Sequence, residues 1–163
     1  MSVLVIDIGT SGLRAAVVRP DGDVTAMHYR AMPPSSPFPG LVEFDAMAMV
    51  NTAIEVAKLA LAEAGPVQAV GITNQRASTI VWDRATGVPI APGLGWQDLR
   101  TVFTFLELQA RGLRFAPNQS ATKYGWSLDT FDALTKNEHI RLLCVTGGPA
   151  VVNAAMKSGV TGI

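Results

Sequence analysis

Apolar positions in this chain fall into short runs separated by polar turns, and the period of each run predicts an element. Two β-branched runs lie within residues 3–18 on either side of Gly9-Thr10-Ser11-Gly12, which predicts a hairpin. The first run ends at Asp7, as a strand buried on both faces would if its carboxylate emerged where the strand stops. Pro20-Asp21-Gly22-Asp23 has turn chemistry, and residues 24–32 read as a third strand. Residues 32–40 hold four of the ten prolines, so they form an extended loop and no helix. Asp45 is the expected N-cap of a helix over 46–64, with Val50, Ala53, Ile54, Ala57 and Leu61 as its apolar face and Gly65-Pro66 as its stop. A short buried strand at 67–72, a polar turn at 73–78, a strand at 79–82 and a turn at 83–87 follow. Asp98 is read as the cap of a helix that runs to about Arg111 and ends at Gly112. Ser120 is read as the cap of another, ending near Thr130. Further on, 140–145 reads as a buried strand, Gly147-Gly148-Pro149 as a turn into a helix over 150–157 capped by Gly159, and 160–163 as a last strand or a frayed end. Strands mixed with helices in this order predict an α/β fold, an open sheet with covering helices.

Composition narrows the class of protein. A chain of 163 residues is one domain by size, and 48% hydrophobic with 16% charged residues suits a core-rich globule. Zero formal net charge gives no basic footprint for nucleic acid and no acidic solvating tail. The single cysteine, Cys144, excludes an internal disulfide, fits a reducing compartment and sits in an apolar run where a thiol packs rather than reacts. With no charged leader and no apolar run of spanning length, the expectation is a cytoplasmic chain without a membrane partner.

The chemistry-bearing stretch is the first hairpin's tip. Gly9 and Gly12 permit positive φ and close backbone approach, Thr10 and Ser11 add hydroxyl donors, and together these can turn N–H groups toward an anion. Asp7 repels phosphate but suits a divalent cation, which prefers carboxylate oxygens. An ordinary hairpin loop has the same composition, so the residues leave both readings open. His28 in the third strand reads as a solvated or packed side chain. Gln75 and Arg76, at a strand's end, could hydrogen-bond substrate hydroxyls, because sugar recognition uses rigid multi-donor groups.

Several of these motifs, in this order, resemble the FGGY family of carbohydrate kinases, which includes glycerol kinase and xylulokinase. Asp7-Ile8-Gly9-Thr10-Ser11 with Arg14 after it is similar to the family's first phosphate loop. Gly40-Leu41-Val42-Glu43-Phe44-Asp45 matches its Gly-x-x-Glu-x-Asp segment. Gly71-Ile72-Thr73-Asn74-Gln75-Arg76, then Trp82-Asp83-Arg84-Ala85-Thr86-Gly87, then Trp96-Gln97-Asp98-Leu99-Arg100-Thr101 is similar to its polyol-binding region, and Ser120-Ala121-Thr122-Lys123 to its helix-opening Ser-x-Thr-Lys. The likeness covers about residues 3–130. It implies an α/β, ribonuclease-H-like (actin-like ATPase) fold, a mixed sheet with helices on both faces. It also implies ATP and Mg2+ as cofactors, not tightly bound, with Asp7 as the metal carboxylate and Asp7, Gly9, Thr10 and Ser11 as the phosphate loop. The substrate implied is a small sugar or polyol held by Gln75, Arg76 and Trp96. Glycerol kinases have Glu after this Arg, where Ala77 stands here, and Asn118 lies near where they place an aromatic; both departures point to a polyol or sugar other than glycerol.

Past Phe131 the kinase pattern stops, and Asn137 to Gly159 resembles part of the cofactor domain of a CoA-acylating aldehyde dehydrogenase. The expectation is a single domain over 1–163, a kinase-like lobe over 1–131 joined to a strand-turn-helix piece over 132–163 that completes the sheet, as in an engineered or recombined chimera. Parallel sheets accept any such unit with an apolar strand and right-handed crossover. Two glycines at 147–148 without the full fingerprint do not lead us to expect NAD. Four possibilities stay in contention: a kinase N-terminal lobe without turnover, carrying no catalytic base of its own; a chimeric scaffold with no activity; a dinucleotide-binding module; and a natural truncated kinase, which would have to explain the dehydrogenase-like tail. A lobe with an uncovered cleft face is also expected to self-associate.

Overall fold

A computed structural model describes residues 1–114, 116, 118–120, 122–123 and 126. The expected end of the third helix, the strand at 140–145 with Cys144, the 147–149 turn, the helix at 150–157 and the last strand lie outside the described residues. The described residues form two compact units, Met1–Pro34 with Asp45–Gln75, and Ser35–Phe44 with those from Arg76 onward.

The first unit is a four-stranded mixed sheet and one helix. Strands β1 (Val3–Ile8) and β2 (Gly12–Val18) form the expected antiparallel hairpin, with Val3 opposite Val18 and Ile8 opposite Leu13. Strand β3 (Val24–Ala31) continues the meander, and β5 (Ala69–Asn74) lies parallel to β1, in the order β3-β2-β1-β5. Helix α1 (Ala46–Ala64) is the crossover. Its first turn is capped as expected, the Asp45 carboxylate accepting from the N–H of Ala48 at 2.9 Å. Gly65 closes it at φ 81°, a conformation glycine adopts without a Cβ penalty.

Three expectations about burial are corrected. The buried stripe of α1 is Ala46, Met49, Ala53, Val56, Ala57 and Ala60, while Val50 and Ile54 are exposed. Alanines let the helix sit low over β2 and β3, and the larger Val50 and Ile54 stay on its solvent flank. The strand expected at 67–72 begins two residues later and is not buried: Val70 and Ile72 are 58% and 68% exposed. It is the last strand in the order, and α1 packs chiefly on β2 and β3. The core proper is Leu4, Ala15, Val17, Ala26, Val56, Ala57 and Ala60, flanked by Ile6, Leu61, Ala64 and Val67. Strand β1 is half-buried rather than enclosed on both faces.

The second unit is built from short pieces. Strands β4 (Glu43–Phe44) and β6 (Gly93–Leu94) pair antiparallel. The strand expected at 79–82 is instead two isolated bridges, Thr79 to Leu94 and Trp82 to Pro89. The Asp83 turn forms as read, its carboxylate accepting from the N–H of Thr86 at 2.8 Å, with Gly87 at φ 71°. Helix α2 (Val102–Ala110) starts at Thr101, whose side chain makes no capping bond, and ends before Gly112 at φ 82°. Asp98 is therefore no cap. Nor does Ser120 act as one, since its hydroxyl is buried without a hydrogen-bond partner. Among the described residues no helix is long and apolar enough to cross a membrane.

Candidate functional site

Asp7 sits one residue before the end of β1, inside the ladder rather than beyond it, opposite Arg14 on β2 and Thr73 on β5. Its carboxylate lies 3.3 Å from Arg14 Nε, both side chains partly exposed, and Arg14 also stacks 5.7 Å from the centre of the Tyr29 ring. At such exposure this pair contributes little stability, and it leaves the carboxylate within reach of a cation.

The loop between the strands is tight. Gly9 N–H donates to the carbonyl of Gly12 at 3.0 Å, and Met32 N–H to that of Ser11 at 2.9 Å. Gln75 fastens it from β5, its backbone N–H donating to Ile8 O at 3.1 Å and its side-chain amide to Gly9 O at 3.3 Å. Gln75, read as a substrate ligand, is thus joined to the phosphate-type loop. Neither Gly9 nor Gly12 has positive φ, which corrects that part of the reading. Close approach is what Gly12 serves: a Cβ there would meet the Tyr29 phenol and come 2.5 Å from the carbonyl oxygen of Arg30. Gly12→Ala is expected to cost about 1–3 kcal/mol through this overpacking, seen as a lowered thermal midpoint; an unchanged midpoint would show that β3 yields freely.

Arg76 and Trp96 belong to the second unit. Arg76 is exposed at the first turn residue after β5, and Trp96 is 37% exposed just after β6. The Thr79–Leu94 bridge lies between them, with N–H to O distances of 2.8 Å in both directions. Ala77, directly after Arg76, has φ 61°, a left-handed backbone rare for a residue with a Cβ.

The same unit holds a charged cluster. Asp98 is fully buried. Its carboxylate accepts from Val42 N–H at 2.7 Å, and from Arg100 Nε and an Arg100 terminal nitrogen at 2.8 Å each. That guanidinium also reaches Glu43 at 2.7 Å and lies 4.6 Å over the Trp126 ring. Burial alone would raise the Asp98 carboxyl, but the Arg100 and Val42 bonds outweigh it and hold the group below its usual range. Lys123 is also fully buried, its ammonium donating to the carbonyls of Gly95 at 2.7 Å, Ala77 at 2.9 Å and Asn118 at 3.3 Å. Burial, with Arg100 nearby and Asp98 opposing, lowers it to about 8. Sequence reasoning missed this cluster. The Asp-x-Arg pair at 98–100 and the Thr-Lys at 122–123 were visible, but nothing in their spacing says they are buried. His28, left as a packed or solvated residue, pairs with Glu63 at 2.9 Å. Among the described residues no three His, Cys, Asp or Glu side chains converge as a metal site.

The chain matches the FGGY family of carbohydrate kinases, N-terminal domain, over residues 2–141. That match runs past 131, where the sequence reading placed the break, into the first residues of the second resemblance. Curated relatives include a glycerol kinase of Gloeobacter violaceus, 38% identical over 136 residues, and one of Albidiferax ferrireducens, 41% identical over 138. These alignments cover 83% and 82% of this chain but 27% of each relative, so the chain spans little more than a quarter of their length. Among solved structures, xyloylose kinase from Brucella ovis superposes with a TM-score of 0.76 at 22% identity, over 89% of this chain and 32% of that one. Plasmodium falciparum glycerol kinase with ADP gives 0.70 at 19%, over 98% and 31%. The α/β, mixed-sheet, actin-like ATPase fold is thereby established, and the chain belongs to the FGGY family of carbohydrate kinases, of which it carries the N-terminal domain.

Proposed function

We propose that this chain is the N-terminal lobe of an ATP-dependent sugar or polyol kinase and does not turn over substrate by itself. The observation that carries this reading is the family match across 2–141, within which both the hairpin loop and the Arg76–Trp96 region fall. Mg2+ and ATP, when bound, supply the phosphoryl group and neutralise its charge. Asp7 would hold the cation, which suits a single accessible carboxylate because Mg2+ keeps waters and phosphate oxygens as its other ligands. Thr10 and Ser11, with Gly9, would face the phosphates. Arg76 would donate to substrate hydroxyls, Trp96 would cover the carbon face, and Gln75 would brace the loop and contribute its amide. The curated relatives are glycerol kinases, yet Ala77 lacks the carboxylate those enzymes place there, which favours another polyol or sugar.

Phosphoryl transfer needs a group to take the hydroxyl proton and a closed cleft around both substrates, and no residue here is assigned that proton. Coupled ADP release with glycerol, xylulose and ribulose is expected to give no signal above background. Clear turnover with any of them overturns the inactive-lobe reading.

Residues 142–163 lie outside the family match, which favours a second reading for that end: a grafted strand-turn-helix that completes the sheet of a single-domain scaffold. If its glycine turn bound a dinucleotide, NAD would raise the thermal midpoint by mass action; an unmoved midpoint at saturating cofactor rules that module out.

A further inference from the structure

We propose that Lys123 is the positioning residue of the Arg76–Trp96 region, its ammonium tying the backbone beside each of these side chains into one frame. The inference rests on the reading of Arg76 and Trp96 as substrate ligands. Continuing the antiparallel register of the Thr79–Leu94 bridge sets residue 77 across from residue 96. A Lys123 amine donates to the carbonyls of Ala77 at 2.9 Å and Gly95 at 2.7 Å, at the end of that short pairing. The Gly95 carbonyl shares a peptide plane with the Trp96 nitrogen, so fixing it fixes the axis about which Trp96 is presented. On the other side, Ala77 follows Arg76 directly and holds φ 61°. Such a backbone persists where its surroundings over-determine it, and the bond to its carbonyl is one such restraint. Asn118 supplies the third acceptor at 3.3 Å.

An ammonium offers three donors, and among the described residues these three carbonyls accept from it, whereas a neutral amine offers two and could not hold all of them. Among the described residues the charges that face Lys123 are Asp98, which favours its protonation, and Arg100, which opposes it; Glu43 pairs with Arg100 at 2.7 Å. Deprotonation should therefore loosen the frame at a pH where Arg100 is still charged and Asp98 still ionised.

NMR on the full chain tests this without any substrate. As pH rises from about 6 to about 10, the Trp96 indole N–H and Arg76 Nε–H signals of the wild type should move together with the Lys123 side-chain carbons, at a midpoint near 8. In Lys123→Met the same signals should be displaced at neutral pH and lose that titration, while β1 and α1 amides stay in place. Lys123→Arg, which keeps the charge, should restore part of the wild-type positions. If Lys123→Met does not fold, the wild-type titration decides alone. Trp96 and Arg76 signals that stay fixed while Lys123 titrates overturn the proposal. Adding xylulose or glycerol tests the underlying reading separately. A frame that titrates as expected, with Arg76 and Trp96 indifferent to either compound, keeps the positioning role and removes the substrate assignment.

Discussion

Asp98→Ala is expected to destabilise the protein by about 3–5 kcal/mol, the loss found when one partner of a buried ion pair is removed. The carboxylate is fully buried and serves three clients, the Val42 N–H, the Arg100 backbone N–H and the Arg100 guanidinium. Deleting it leaves two orphaned backbone donors and an arginine that keeps only Glu43 and the Trp126 ring among the described residues, and it removes the negative charge that supports Lys123. Asp98→Asn keeps the shape and an acceptor for Val42 but not the charge, so it should fall between wild type and Asp98→Ala. The pH dependence has a definite sign. Because the folded carboxyl lies below its ordinary 3.8, its contribution is complete above that value and is lost as pH falls below it, toward the folded pKa. The gap in urea midpoint between wild type and Asp98→Asn should therefore narrow in acid. A loss under about 1 kcal/mol for Asp98→Ala would mean that water or a rotated Glu43 replaces the carboxylate.

Leu4→Ala carries the second large effect, about 2–5 kcal/mol for removing a buried leucine side chain. Leu4 is 3% exposed among Ala15, Val17, Ala26, Val56, Ala57 and Ala60. Four of those six neighbours are alanines, with no side chain long enough to lean into the space, so the upper half of that range is expected. For a chain of this size the thermal midpoint should fall about 2–4 °C per kcal/mol. Ile54→Ala is the matching control. Ile54 is 48% exposed, and its truncation should cost only about 0.5 kcal/mol. Comparable losses for the two variants would show that α1 presents a different face from the one described.

Much of the first unit was legible because it is local. Alternating runs around a Gly-Thr-Ser-Gly turn can form little but a hairpin, and Asp45 and Gly65 bracket α1 by capping chemistry that depends only on near neighbours. The same holds for the motif order that marks the family, from Asp7 through Arg76 to Trp96. Which face of α1 is buried was not legible, since Val50 and Ile54 have the same period as the alanines and only the sheet beneath decides between them.

What the sequence determined by itself is the hairpin, the capped crossover helix and the family, because each is written in residue types a few positions apart. What only the tertiary structure decided is the exposure of β5 and the joining of Asp98, Arg100, Glu43 and Lys123 into one buried, charge-balanced cluster. Burial and hydrogen bonding between segments tens of residues apart, as between Glu43 and Arg100, which stand 57 positions apart, follow from how chain segments meet, and no local spacing encodes that.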